Sequence, residues 1–157
     1  MKASELLERY AKGERDFHGA ELAGVDLYSA DLPGINLSGA DLSGSDLSGS
    51  DLSRSYLFGV DFSDANLTGA YLSDSNLSKA DLSGAGLSMS DLADADLSNA
   101  NLSRANLSGA ELRGANFSGA NLSKANLSDA YLSDVDLGEW EIAPNGIARK
   151  KGNSRSK

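Results

Sequence analysis

From Phe17 to Leu137 every fifth residue is large and apolar, 25 consecutive positions with Leu at 22 of them and Phe at Phe17, Phe62 and Phe117. Two residues before each of these centres the chain is small: the 24 positions from Ala20 to Val135 hold 15 Ala, 5 Ser, 3 Val and Ile35. Between the small residue and the centre stands Asp, Asn or Glu at 21 of 25 positions, the exceptions being Tyr56, Tyr71, Gly86 and Tyr131. Ser usually follows the centre, and then Gly or a charged residue. An α-helix cannot use this pattern, since a five-residue step rotates successive centres by about 140° and winds the Leu residues around every face. A flat strand fails as well, because an odd period sends alternate centres to opposite faces. The chain must bend once per repeat. Small residue and centre then point the same way from a short extended segment, the Asp or Asn between them points out, and the Ser-Gly pair makes the corner. Coiled on its own Leu residues, such a chain forms an all-β solenoid with a filled interior, in which Leu42, Leu82, Leu102, Phe62 and Phe117 are core.

The units Ala40-Asp41-Leu42-Ser43-Gly44, Ala100-Asn101-Leu102-Ser103-Arg104 and Ala120-Asn121-Leu122-Ser123-Lys124 resemble the A(D/N)LXX motif of the pentapeptide repeat proteins, over residues 15–139. That resemblance implies a right-handed quadrilateral β-helix with four pentapeptides per coil, hence about six coils and a rod roughly 30 Å long at about 4.8 Å per coil. The opening run Leu6-Leu7-Glu8-Arg9-Tyr10-Ala11, with Gly13 and Phe17 after it, also resembles cyanobacterial members.

Both ends of such a rod need covering. Residues 1–14 read as a short capping α-helix, with Ser4 as N-cap and Leu6, Leu7, Tyr10 and Ala11 as its apolar stripe. The repeat domain is expected over 15–143. Trp140 falls in the small column, where it cannot fit inside a coil, so it is expected across the end of the stack with Ile142, beside a Pro144-Asn145-Gly146 turn. Residues 144–157 are expected to be a disordered basic tail.

Composition narrows the chemistry. With no Cys and a single His, His18, thiolate sites are excluded and the usual metal and acid–base ligands are missing, so neither an enzyme nor a cofactor or metal site is expected. No apolar run approaches the roughly 20 residues of a membrane span. The opening Met1-Lys2-Ala3-Ser4-Glu5 carries charge where a secretory signal is apolar, so a cytoplasmic protein is expected. The net charge of −9 is uneven: −13 over residues 15–139, zero over 1–14 and +4 over 140–157.

Outward residues therefore carry whatever the protein does. With four repeats per coil, Glu21, Asp41, Asp61 and Asp81 stack in one acidic column. It serves either the repeat's turns and solubility or a basic partner. Tyr56 and Phe58 flank one buried centre and form an aromatic anchor of the kind found in interaction hot spots; Tyr28, Tyr71 and Tyr131 are isolated counterparts. The expected function is a protein-interaction scaffold with an unidentified protein partner, no direct nucleic-acid contact from the repeats and no membrane. A monomer is expected, with a face-to-face dimer left open. The alternative comes from the resemblance: some family members mimic B-DNA and bind type II topoisomerases such as gyrase. Those relatives have Phe-rich centres and loop insertions, whereas this chain is Leu-centred and uninterrupted. Ice or mineral binding by stacked Ser is a weaker third reading.

Overall fold

The computed structural model describes residues 1–152. One helix, α1 (Ala3–Ala11), is followed by the coiled repeats and by a hairpin of β1 (Trp140–Ile142) and β2 (Ala148–Lys150). Between them, parallel bridges join each outward residue to the one 20 positions later, from Asp16–Asn36 to Glu111–Tyr131. One coil is therefore four pentapeptides, and outward residues 20 apart stand directly over one another. Each bridge is a single residue wide, because the chain turns before a longer strand can form.

Five backbone amides per repeat need partners, and a regular repeat with Asp or Asn before the centre provides all five. In the unit 41–45, Asp41 N–H donates down the stack to Ala20 O (2.9 Å), while Leu42 and Gly44 donate up it to Asp61 O and Ser63 O (2.8 and 2.9 Å). Ser45 N–H closes the turn on Leu42 O at 3.1 Å. The remaining amide, Ser43 N–H, lies in the corner beyond reach of any coil and donates to Asp41 Oδ1 at 3.0 Å. An acceptor oxygen one residue before the centre is thus a structural need, and this explains why Asp and Asn alternate there freely. Both have an oxygen at the right distance, so the charge of Asp is surplus to the turn.

The corner residue two after the centre has positive φ, as at Gly44 (64°), which with the preceding residue on the ordinary side of φ is the mark of a type II turn. Glycine is favoured there, and Asp or Asn is the next best tolerated, as at Asp64, Asp94 and Asn99. Pro33 takes the preceding turn position, where its fixed φ fits and no amide is needed.

Inside, Leu42, Leu82, Leu102 and Phe62 are wholly buried and Phe117 nearly so. The small column is buried beside them. Its Ser members are accommodated because Ser45, Ser50, Ser75 and Ser90 each donate to the carbonyl three residues earlier at 2.6–2.7 Å. Ser55 Oγ alone has no partner among the described residues.

At the N-terminal end α1 lies on the first coil through Leu6, which is fully buried, and Tyr10, whose hydroxyl donates to Pro33 O at 2.6 Å. The Met1 amino group donates to Glu21 O at 2.8 Å. Two expectations are corrected here. The N-cap is Lys2, with no side-chain cap bond, and Ser4 is already inside the helix; anchoring Met1 on the coil starts the helix earlier than the capping rule does. Leu7 is 39% exposed, because the contact stripe runs through Leu6 and Tyr10 and leaves Leu7 on the helix's outer side.

The C-terminal end also differs from expectation. Residues 144–152 do not begin a disordered tail: Ala148–Lys150 pairs antiparallel with Trp140–Ile142. Ile147 bridges Asn126, Leu127 N–H donates to Gly146 O and Ala148 N–H to Ala125 O, both at 2.8 Å. Backbone pairing and burial of Ala148 hold the strand while its Arg149 and Lys150 side chains face water. The rest of the expected tail, residues 153–157, lies outside the described residues. Trp140 is 7% exposed, and its indole N–H donates to Ala120 O at 3.1 Å.

Candidate interaction surface

The 20-residue register brings Glu21, Asp41, Asp61 and Asp81 into one column through the bridges Glu21–Asp41, Asp41–Asp61 and Asp61–Asp81. Above Asp81 the column continues as Asn101 and Asn121. Three of the four acids also serve the turn: Asp41, Asp61 and Asp81 each accept from the backbone and the hydroxyl of the Ser two residues on, the hydroxyl bonds being 2.6–2.7 Å. Glu21 is bridged in the column and has no such bond among the described residues; Ala23 offers no hydroxyl.

At Asp41, and at Asp46 on the next face, the Ser bonds favour the charged carboxylate. The Ser43 hydroxyl, and then its amide, hold Asp41 below the usual Asp range, and Ser48 does the same for Asp46. Asp16 is lowered by the His18 side chain, then by its amide, and Glu14 by the Arg9 guanidinium. A folded-state pKa below the unfolded value gives stability that is complete above the unfolded pKa, near 4 for a carboxylate, and is lost as pH falls through the folded value. Repulsion along the column acts in the opposite sense and is screened by salt. We therefore expect, at about 0.15 M salt, a thermal midpoint that is level from pH 8 to 5 and falls below about pH 4. Asp41→Asn/Asp46→Asn keeps the acceptor oxygens and should flatten that fall; an unchanged acid limb would show that these bonds do not carry the pH dependence.

Tyr56 and Phe58 lie on the face that precedes the acidic column along the coil, and are 59% and 46% exposed. Their centre, Leu57, is completely buried, so the backbone that carries them is fixed. Tyr56 supplies no turn acceptor, and among the described residues Phe58 N–H has no hydrogen-bond partner. Local turn bonding has been given up at this repeat for two surface rings. The Lys79 ammonium lies 5.8 Å from the centroid of the Phe58 ring. Sequence reasoning did not single out Lys79; its signal is an offset of one coil plus one residue from Phe58. Tyr71 is exposed on the adjoining face, stacked between Asp51 and Asp91, while Tyr28 and Tyr131 are exposed on separate coils. The structure thus places the Tyr56–Phe58 pair and the acidic column on neighbouring faces of one rod.

His18 stands on the exposed first coil with Nδ1 2.8 Å from Asp16 Oδ1. Among the described residues, no group of three or more His, Asp or Glu is arranged to hold a metal ion. No described helix is long and apolar enough to cross a membrane.

Comparison with known proteins gives a consistent picture. A family model described as pentapeptide repeats matches in eight copies over residues 20–57, 61–99 and 100–138. Among solved structures, alr5209, a pentapeptide repeat protein from Nostoc Pcc 7120, is 37% identical with a TM-score of 0.60, over 64% of this chain and 80% of its own. Rfr23, a pentapeptide repeat protein from the cyanobacterium Cyanothece 51142, is 31% identical with a TM-score of 0.51, over 82% of this chain and 95% of its own. QnrB1, a plasmid-mediated fluoroquinolone resistance protein, is 21% identical over 78% of this chain and 76% of its own, with a TM-score of 0.41. No curated protein sequence matches this one.

Proposed function

Because the chain belongs to the pentapeptide repeat family, we propose that it is a cytoplasmic, non-enzymatic protein-interaction scaffold, built as a right-handed quadrilateral β-helix and read by its partner from the outside. The observation that carries this reading is the pair Tyr56 and Phe58, held in water on either side of a fully buried Leu. Rigid exposed rings lose little entropy on docking and supply most of their area to a partner's pocket. The acidic column beside them supports a partner whose pocket is flanked by basic residues, which charge would steer into register. Topoisomerase mimicry by the acidic faces has weaker support: the column passes from Asp to Asn at Asn101, so the upper rod lacks the continuous charge of a nucleic-acid backbone.

Affinity capture from native cell extract tests the proposal with two variants. Tyr56→Ala/Phe58→Ala removes the rings. Glu21→Gln/Asp41→Asn/Asp61→Asn/Asp81→Asn removes the charge and keeps the turn oxygens. The expected result is a protein retained by the wild-type rod and lost with the ring variant, while the charge variant captures it more slowly and with less dependence on salt. A partner held equally by all three would place the interaction elsewhere.

A further inference from the structure

The hydrogen-bond ladder that climbs the rod breaks at one place near its C-terminal end. Leu112 and Gly114 still donate to Tyr131 O and Ser133 O at 2.9 and 3.1 Å, and Leu127 donates to Gly146 O. On the two faces between, the ladder amides of Phe117, Gly119, Leu122 and Lys124 meet no acceptor among the described residues. The chain above them stands off the stack, with the Trp140 indole placed at Ala120 in its stead. An open cleft of about 550 Å³ results, lined by Gly119, Ala120, Lys124, Trp140, Arg149 and Lys150. Leu122 is fully buried beneath it, whereas Gly119 and Lys124 are exposed, so these two present free donors at the edge.

We propose that this cleft binds an extended acidic peptide of about five residues, which adds to the open coil edge. Three observations set that occupant. The free amides are one pentapeptide apart, in the positions that elsewhere donate to the carbonyls of the next coil, so the missing partner is a length of backbone. The walls carry Lys124, Arg149 and Lys150 against one carboxylate, Glu139, so the cleft is cationic on an otherwise acidic rod. Arg149 is engaged with Glu141 at 2.8 Å and Lys150 approaches Glu139 at 3.6 Å, which leaves Lys124 as the wall cation with no ion pair among the described residues and Lys150 as one that an incoming carboxylate can share. The chain's own last residues include Arg155 and Lys157 and lack acid, and a second C-terminal end would bring the same cations face to face. Charge therefore favours a foreign acidic segment over either. This site lies at the C-terminal end of the rod, three coils from Tyr56 and Phe58 along the column Tyr56–Asn76–Asp96–Asn116, and does not depend on them.

Trp140 is the only Trp in the sequence, so its emission reports the cleft directly. The probe is a blocked pentapeptide of alternating Val and Glu, with the Val/Lys counterpart as control. The expected result is a saturable change in Trp140 emission with the Glu peptide, weakened at least about tenfold in Lys124→Glu/Lys150→Glu. Gly119 and Lys124 amides should exchange fast in the free protein and slowly in the complex, and circular dichroism checks that the variant is folded. No saturable change, an equal response to the Lys peptide, or binding without protection of those amides would each overturn the proposal. Slow exchange at Gly119 and Lys124 in the free protein also overturns it: loss of that protection on dilution would assign the edge to a second copy, and loss on removing residues 153–157 would assign it to the chain's own end.

Discussion

Leu82→Ala should destabilise the rod by about 2–5 kcal/mol, while Ser83→Ala, one residue on, should cost about 1 kcal/mol or less. Leu82 is completely buried and stands in the stack between Phe62 below and Leu102 above, both equally buried. Removing its side chain takes away apolar area and leaves a void between two coils that the ladder holds at fixed spacing. Its amide donates to Asn101 O at 2.7 Å and Asp81 N–H to Val60 O at 2.9 Å, so the backbone cannot settle into the space. Ser83 has only its hydroxyl bond to Asp81 to lose, at 2.6 Å, and Asp81 keeps the Ser83 amide at 3.0 Å. Denaturant midpoints of the two variants give the comparison. Hydrogen exchange adds a test of locality: because each coil touches only its neighbours, Leu82→Ala should speed exchange first at the amides of residues 61–64 and 101–104. Equal losses at the two sites would mean that the inward column has been misassigned.

The inward column was legible because it obeys a local rule. A period of five forces one bend per repeat, and the bend decides which side chains meet. How many bends complete a coil is set by amides that find carbonyls 19 residues ahead, as Leu22 finds Asp41, and nothing in a five-residue period contains that number; it came from family resemblance. The role of the Asp/Asn column was only half legible. That these residues favour turns follows from their chemistry, whereas the particular donor, the corner amide that no coil can reach, appears only when every amide of a repeat is traced. The ends were least legible. Trp140 is legible in the sequence as too large for its column, yet nothing there signals that Ala148–Lys150 pairs with β1, because strand pairing is a backbone matter and Arg-Lys-Lys reads as solvated tail. The cleft arises from that same departure: its floor from Gly119 to Lys124 is ordinary repeat, and its walls at Trp140, Arg149 and Lys150 belong to no motif.

Trp140→Ala should cost about 3–5 kcal/mol and release the C-terminal hairpin. The indole is one of the largest buried side chains beyond the last complete coil, and it does two things there. It covers apolar surface at Ala120, and its N–H satisfies the Ala120 carbonyl, which on lower coils accepts from the next coil's outward residue, as Ala100 O does from Asn121 at 2.9 Å. Trp140→Phe separates these roles, since it keeps most of the area and leaves the carbonyl unpaired, for about 1–3 kcal/mol. In Trp140→Ala the antiparallel register Trp140–Lys150, Glu141–Arg149, Ile142–Ala148 loses its largest anchor and keeps only the partly buried Ile142, and three residue pairs do not hold a hairpin unaided. Exchange at Ala148 and Leu127, now bonded to Ala125 O and Gly146 O, should then accelerate at least as much as the global destabilisation requires. A coil edge uncovered in this way templates association, so light scattering of the alanine variant should rise with concentration while that of Trp140→Phe stays at the wild-type value. If both variants stay as monodisperse as the wild type and Ala148 remains protected, the hairpin is held by its backbone bonds to Ala125 and Leu127 alone, and Trp140 is only a lid on the cleft.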